Sequence, residues 1–495
     1  MNQKSIMKVL VPNSLTFFML FLVLVLSPVY AKDLDVLKEF SADKVITGKI
    51  NTIHIDKFER KESHYKYRFL TEGIEYDLLP IGKNISFSPD TTFTIDGYDV
   101  VDDQIKVDVK NIKKTQEKEN LLIAGNNAES SSPYFNALGE QKLLVFLVDF
   151  LNSTKPKPFK KIDIETMLFN GKQQDFFKEQ SYNRMWLSGT VTPWITLNRN
   201  FDDNNWVTLD SKKIKDYILI NNINLADYGR ILFIVDHPSA TGGYSYVGKG
   251  DVFFEGKNYI LSQSWAGSSL YGRSIQVQTE IPFSYFDYTI SHELGHAFGV
   301  MHANGWDCSL SSVDGVCEHL EYENNFDTMG YPNFSFHFNA FYKNILKWIP
   351  ARAVEEIRSS GRYSLSALET SLAPDTSSKK IAKIFLSGPT GETMPYALEF
   401  RKSIGLDKGI SSPDMNLKGG LFVHKINIDT ENYHFSSPEI IDTTPSIKVW
   451  YDDIRDGSLR KDNVFIDKEK GIKIGPILFE DGKRVEFMVE YFIPN

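Results

Sequence analysis

The stretch SHELGHAFGVMH, Ser291 to His302, constrains this chain more than any other. It gathers three histidines and a glutamate in a 495-residue sequence that has ten histidines in all. On a helix, residues four apart share a face, so His292 and His296 point the same way, with Glu293 beside the first. His302 comes six positions after His296, and a continuing helix would turn it about 240° away. The helix therefore has to stop in between, and Gly299 tolerates the positive φ that such a stop requires. Burying three histidines and a glutamate with nothing to bind is costly. The pattern predicts a metal centre.

His292, His296 and His302 as ligands would leave a tetrahedral zinc one open position for water, as hydrolytic zinc sites require. Glu293 is then the general base that takes the proton of that water. One catalytic zinc is the expected cofactor. The acidic run YDDIRDG, Tyr451 to Gly457, is the only candidate for a structural calcium. It lacks the alternating aspartates of a known calcium loop and reads as a solvated turn.

The formal net charge of −9 supplies no excess of cations for phosphates and excludes a nucleic-acid partner. At the N-terminus, Lys4 and Lys8 precede the apolar run Leu15–Leu26 and then SPVYA, with small residues at Val29 and Ala31. This pattern predicts an export signal over 1–31, cleaved after Ala31, and a secreted or periplasmic product without a membrane anchor. In an oxidising compartment the only two cysteines, Cys308 and Cys317, are expected to pair. The short loop they close would be stabilised by about 2–3 kcal/mol.

Alternation of apolar and polar residues with turn residues between them predicts a β-rich N-terminal domain over 32–118. A polar linker follows over 119–140. From 141 to 350 the texture changes: LLVFLVDF and ILFIVDH read as strands buried on both faces. Helical spacing appears around Phe176, through the histidine stretch, and from Asn339 to Pro350. Residues 351–495 return to strand patterns and predict a C-terminal β-sandwich.

HELGHAFGVMH resembles the extended zinc motif of the metzincin metallopeptidases, HExxHxxGxxH. That resemblance implies a methionine turn beneath the metal, and FDTMGY supplies Met329 for it. It also makes Tyr331, two residues on, a weak candidate for an oxyanion donor or fifth ligand. Ala303 after the third histidine fits none of the astacin, reprolysin, matrixin or serralysin patterns. Together with FFKEQSYNRMWLSGTV and FNAFYKNILKWI, the motif looks most like the gametolysin family and its bacterial relatives. The likeness covers about residues 141–350. The fold it implies is an α/β (α+β) metzincin-like catalytic domain between two β-rich domains.

The function expected on these grounds is secreted zinc endopeptidase, a monomer acting on protein or peptide, with extracellular glycoproteins suggested by analogy. Two other functions fit the same residues: a non-enzymatic extracellular binding protein on a protease-like scaffold, and a zinc hydrolase of a non-peptide amide. Some metzincins are kept latent by a propeptide cysteine on the zinc. Residues 32–135 contain no cysteine, so any inhibition from this region has to use a carboxylate or block the cleft. The remaining histidines, among them His54, His237, His319, His337 and His424, carry no motif and read as structural.

Overall fold

A run such as Leu143–Val148 offers no polar face to water, so a strand made from it has to be covered on both sides. The computed structural model describes residues 45–494 except 59–61, 82–86, 90, 102–103, 116–134, 154, 203–206, 271–283, 309–312, 314–316, 331–334, 374–377, 389–390, 411–416, 427–436 and 445–452. The predicted signal segment and Tyr331 lie outside the described residues. Among those described, no helix is long and apolar enough to cross a membrane.

The strands that position the site are β1 (Ile46–Lys57), β2 (Gly139–Asp149), β3 (Met185–Thr196), β4 (Arg230–Asp236), β5 (Gly243–Tyr246) and β6 (Lys257–Gly267). Strands β3, β2, β4 and β6 are mutually parallel in that order, with Phe233 opposite Phe146 and Trp265. Strand β5 adds antiparallel to β6. Alternate residues of β2 feed two separate cores. Leu143, Val145 and Leu147 face one, and Leu144, Phe146 and Val148 the other. The first core is covered by helices α1 (Lys161–Phe169) and α2 (Lys172–Gln180), and the second by α3 (Lys212–Ile220). Helix α4 (Tyr285–Phe298) and the short α5 (Ala340–Ile345) also pack on the first face.

This architecture corrects the expected fold class. Of the described residues, 46% lie in strands and 19% in helices, so the molecule is mostly β and not an α/β catalytic domain between β flanks. The physical reason is edge pairing. Strand β1 does not close on its own meander alone. It also pairs antiparallel with β5, merging the N-terminal strands and the parallel strands into one thirteen-stranded sheet. Likewise β7 (Asn304–Cys308) and β8 (Cys317–Leu320), the hairpin after the histidine stretch, join a seven-stranded sheet through Pro438–Ile441. That sheet includes β9 (Gly391–Arg401) and shares a core with a four-stranded sheet. Cys308 and Cys317 are directly opposite across the hairpin and are disulfide-bonded.

Candidate metal centre

Helix α4 starts at a capping box. The Ser284 hydroxyl accepts the Asp287 N–H at 3.3 Å, and the Asp287 carboxylate accepts the Ser284 N–H at 2.8 Å. Lys172 pairs with the same carboxylate, and Gln173 donates to the Asp287 carbonyl at 2.7 Å. The helix is buried from Phe286 to Phe298 and ends at Gly299, with φ 109° and ψ 19°. This left-handed residue turns the chain so that Val300 and His302 fold back under the helix.

The turn brings the three histidine rings together. Their centroids are 4.9 Å apart for His292 and His296, 5.2 Å for His292 and His302, and 5.1 Å for His296 and His302. Each Nδ1 faces an acceptor: the Thr328 carbonyl at 2.9 Å for His292, the Val300 carbonyl at 2.8 Å for His296, and Glu321 Oε1 at 2.9 Å for His302. A proton on Nδ1 leaves the lone pair on Nε2, which is how outer partners prepare imidazoles for a metal. All three Nε2 atoms are buried, and those of His292 and His296 have no close hydrogen bond. Buried polar atoms are rarely left so, and a shared cation would satisfy them.

Two residues that the sequence reading passed over complete the cluster. His54 and Asp56 are two apart on β1 and so project from the same face of the strand. Asp56 Oδ1 lies 2.8 Å from His302 Nε2, while Oδ2 lies 3.4 Å from His296 Nε2 and 3.8 Å from His292 Nε2. His54 stacks on His296 at 4.5 Å and approaches Asp56 Oδ1 at 3.3 Å through Nδ1. Tyr322 packs on His302 at 3.8 Å and donates its hydroxyl proton to Asp56. His54, Asp56, His296 and His302 form a buried group that can hold a metal ion. His292 stands beside it. The signal for the first two was available in HID, residues 54–56, as ligand types at strand spacing.

Electrostatics agree with a site built around a cation. Burial, with a lesser push from neighbouring His302, lowers His54 to about 3, so it is neutral. Burial would also lower His302, but Asp56 and Glu321 outweigh it and raise the imidazole to about 9, so binding a metal here means displacing a proton. Glu293 is held well above the carboxylate range, first by burial and then by the Asp56 charge. Both of its oxygens are buried without a hydrogen bond. It backs onto Gly243 of β5, where even a Cβ would overlap the Glu293 carboxylate. A dication would stabilise the ionised form that a base needs.

Met329 lies fully buried beneath α4, its sulfur against Gly295 so closely that a Cβ on that glycine would not fit. Its carbonyl accepts the N–H of Ala303 at 2.9 Å, tying the turn to the residue after His302. The other described histidines without a motif have structural partners. His319 meets Glu439 at 2.6 Å, His337 meets Glu179 at 3.2 Å, His424 meets Glu399 at 3.0 Å, and His237 stacks on Phe201 at 4.4 Å. In the acidic run, Asp456 is paired with Arg460 and, at 3.4 Å, with Lys418, so that carboxylate is already matched by cations.

No protein-family model matches the chain, and no curated protein matches it.

Proposed function

We propose that the protein is a secreted zinc endopeptidase with His292, His296 and His302 as metal ligands and Glu293 as general base. The observation that carries this reading is the set of three buried Nε2 atoms gathered around the Asp56 carboxylate, each ring with an acceptor on its Nδ1. The motif's resemblance to metzincin peptidases, with Met329 under the helix, favours a peptide over another amide. When bound, zinc supplies Lewis acidity toward water and a carbonyl oxygen. Glu293, one residue from His292 and anchored in the middle of α4, takes the proton from water and delivers it to the leaving amine. Gly243 sets how closely β5 approaches that carboxylate. The β5 edge that β1 occupies here carries the backbone hydrogen-bonding groups an extended peptide would use.

The test is zinc stoichiometry together with cleavage of an unbiased quenched-peptide library, before and after limited proteolysis of the full chain. One zinc per chain is expected. Activity in at least one state should fall by at least ~10²-fold in Glu293→Ala. A zinc-loaded protein that cleaves nothing in either state overturns the proposal.

A further inference from the structure

We propose that β1 is a built-in inhibitor: Asp56 takes the coordination position that a water needs, and the strand fills the substrate cleft along β5. The inference rests on the zinc-peptidase reading and adds its regulation.

Four observations converge on it. First, the Asp56 carboxylate comes within 2.8–3.8 Å of Nε2 of all three motif histidines. A cation held by those nitrogens would meet this carboxylate where a water would otherwise sit. Second, β1 pairs with β5 from Ile53 opposite Tyr246 to Asp56 opposite Gly243. Gly243 is the residue that touches Glu293, so the pairing places residue 56 beside the base. An extended peptide adding to β5 would need the same hydrogen bonds. Third, access is closed. The side chains of Asp56, His292 and His296 are 0% exposed, those of His54 and His302 1% and 2%, and Glu293 is likewise buried. No peptide bond can reach a base in that condition. Fourth, Asp56 is a charge buried among imidazoles, aided by the Tyr322 hydroxyl. A buried carboxylate is costly unless it is paired or binds a metal; its neighbours here are the Nε2 atoms of the three motif histidines, so an ion held by those nitrogens would be shared with it.

The N-terminal region also reaches the outer partners of the site. Ser63, on the strand that follows β1, donates to Glu321, which in turn holds His302 Nδ1. Removing β1 would therefore free the fourth position, open the β5 edge and expose Glu293 in one event.

The experiment compares the full-length wild type with Asp56→Ala and with Asp56→Asn, which keeps the shape and loses the charge, each loaded with Co²⁺ in place of zinc. In the wild type, the cobalt absorption spectrum should be unchanged by acetohydroxamate. In both variants it should already differ from wild type, and acetohydroxamate should shift it further. Peptide cleavage by the zinc forms should rise about tenfold or more in the variants, and Glu293→Ala added to Asp56→Asn should abolish it. An equal cobalt response to acetohydroxamate in wild type and variants overturns the inhibitory strand, whatever the cleavage result. Variants that respond to acetohydroxamate yet cleave no peptide leave the strand's role standing and overturn the peptidase reading.

Discussion

Among the described residues, two clusters of buried histidines and carboxylates are built on opposite terms. One is the metal centre under α4. The other centres on Arg401 of β9, which reaches Asp407 at 2.7 Å, Glu369 and Glu399 each at 3.3 Å, and the Phe326 carbonyl at 2.9 Å. Glu399 in turn takes His424 at 3.0 Å and the Ala340 N–H at 2.7 Å. In the second cluster, opposite charges meet one another and most polar atoms are satisfied. In the first, Nε2 of His292 and of His296 and both oxygens of Glu293 have no close hydrogen bond. Burial alone therefore does not mark a functional site. Unspent valence at the centre of a buried cluster does.

The two clusters are also mechanically joined. Arg401 donates to the carbonyl of Phe326, and Asp327, next in the chain, accepts the Met329 N–H at 2.7 Å. The C-terminal sheet thus braces the turn that underlies the histidines.

The contrast can be broken most forcefully at Arg401. Arg401→Leu removes the buried cation that Asp407, Glu369 and Glu399 share and should cost about 3–5 kcal/mol, read as a lowered denaturation midpoint. Little loss of stability would mean that the cluster is not the closed network described here. A smaller effect is expected at Glu321→Gln, which weakens the acceptor on His302 Nδ1. Zinc affinity, measured by competition with a chromogenic chelator, should fall about 10–100-fold, with the fold intact by circular dichroism. The smallest is Gly243→Ala. Its methyl group has to push the Glu293 carboxylate aside, so kcat of the uninhibited Asp56→Asn form should drop about tenfold while zinc affinity holds. A loss of zinc instead would place Gly243 in support of the ligands and not of the base.

What the sequence made legible was local. The helix through His292 and His296, its stop at Gly299, and the buried run Leu143–Val148 each depend on contiguous residues, and periodicity or a single glycine is enough to read them. His54 and Asp56 are ligand types at strand spacing, but their place in the site was not legible because their partners lie about 240 residues away, across a pairing of β1 with β5 that no local pattern encodes. The fold class failed for the same cause. Strand patterns at either end of the chain predict β flanks around an α/β centre, whereas the edges of those strands are completed by strands from the middle. Edge pairing is a property of the assembled sheet, and alternation identifies a strand without naming its neighbour.

The pairing of Ile53 with Tyr246 has a consequence for the order of events in the life of the chain. The meander of β1 with Glu62–Thr71 and Ile74–Ile81 closes over short loops and forms early. Its docking on β5 has to wait until residues almost 200 positions later have been made and folded. Once docked, it leaves the histidines without a route to solvent. The ion must therefore enter before this step closes or during a later opening, so the rate of metal uptake by finished protein measures how often β1 lets go.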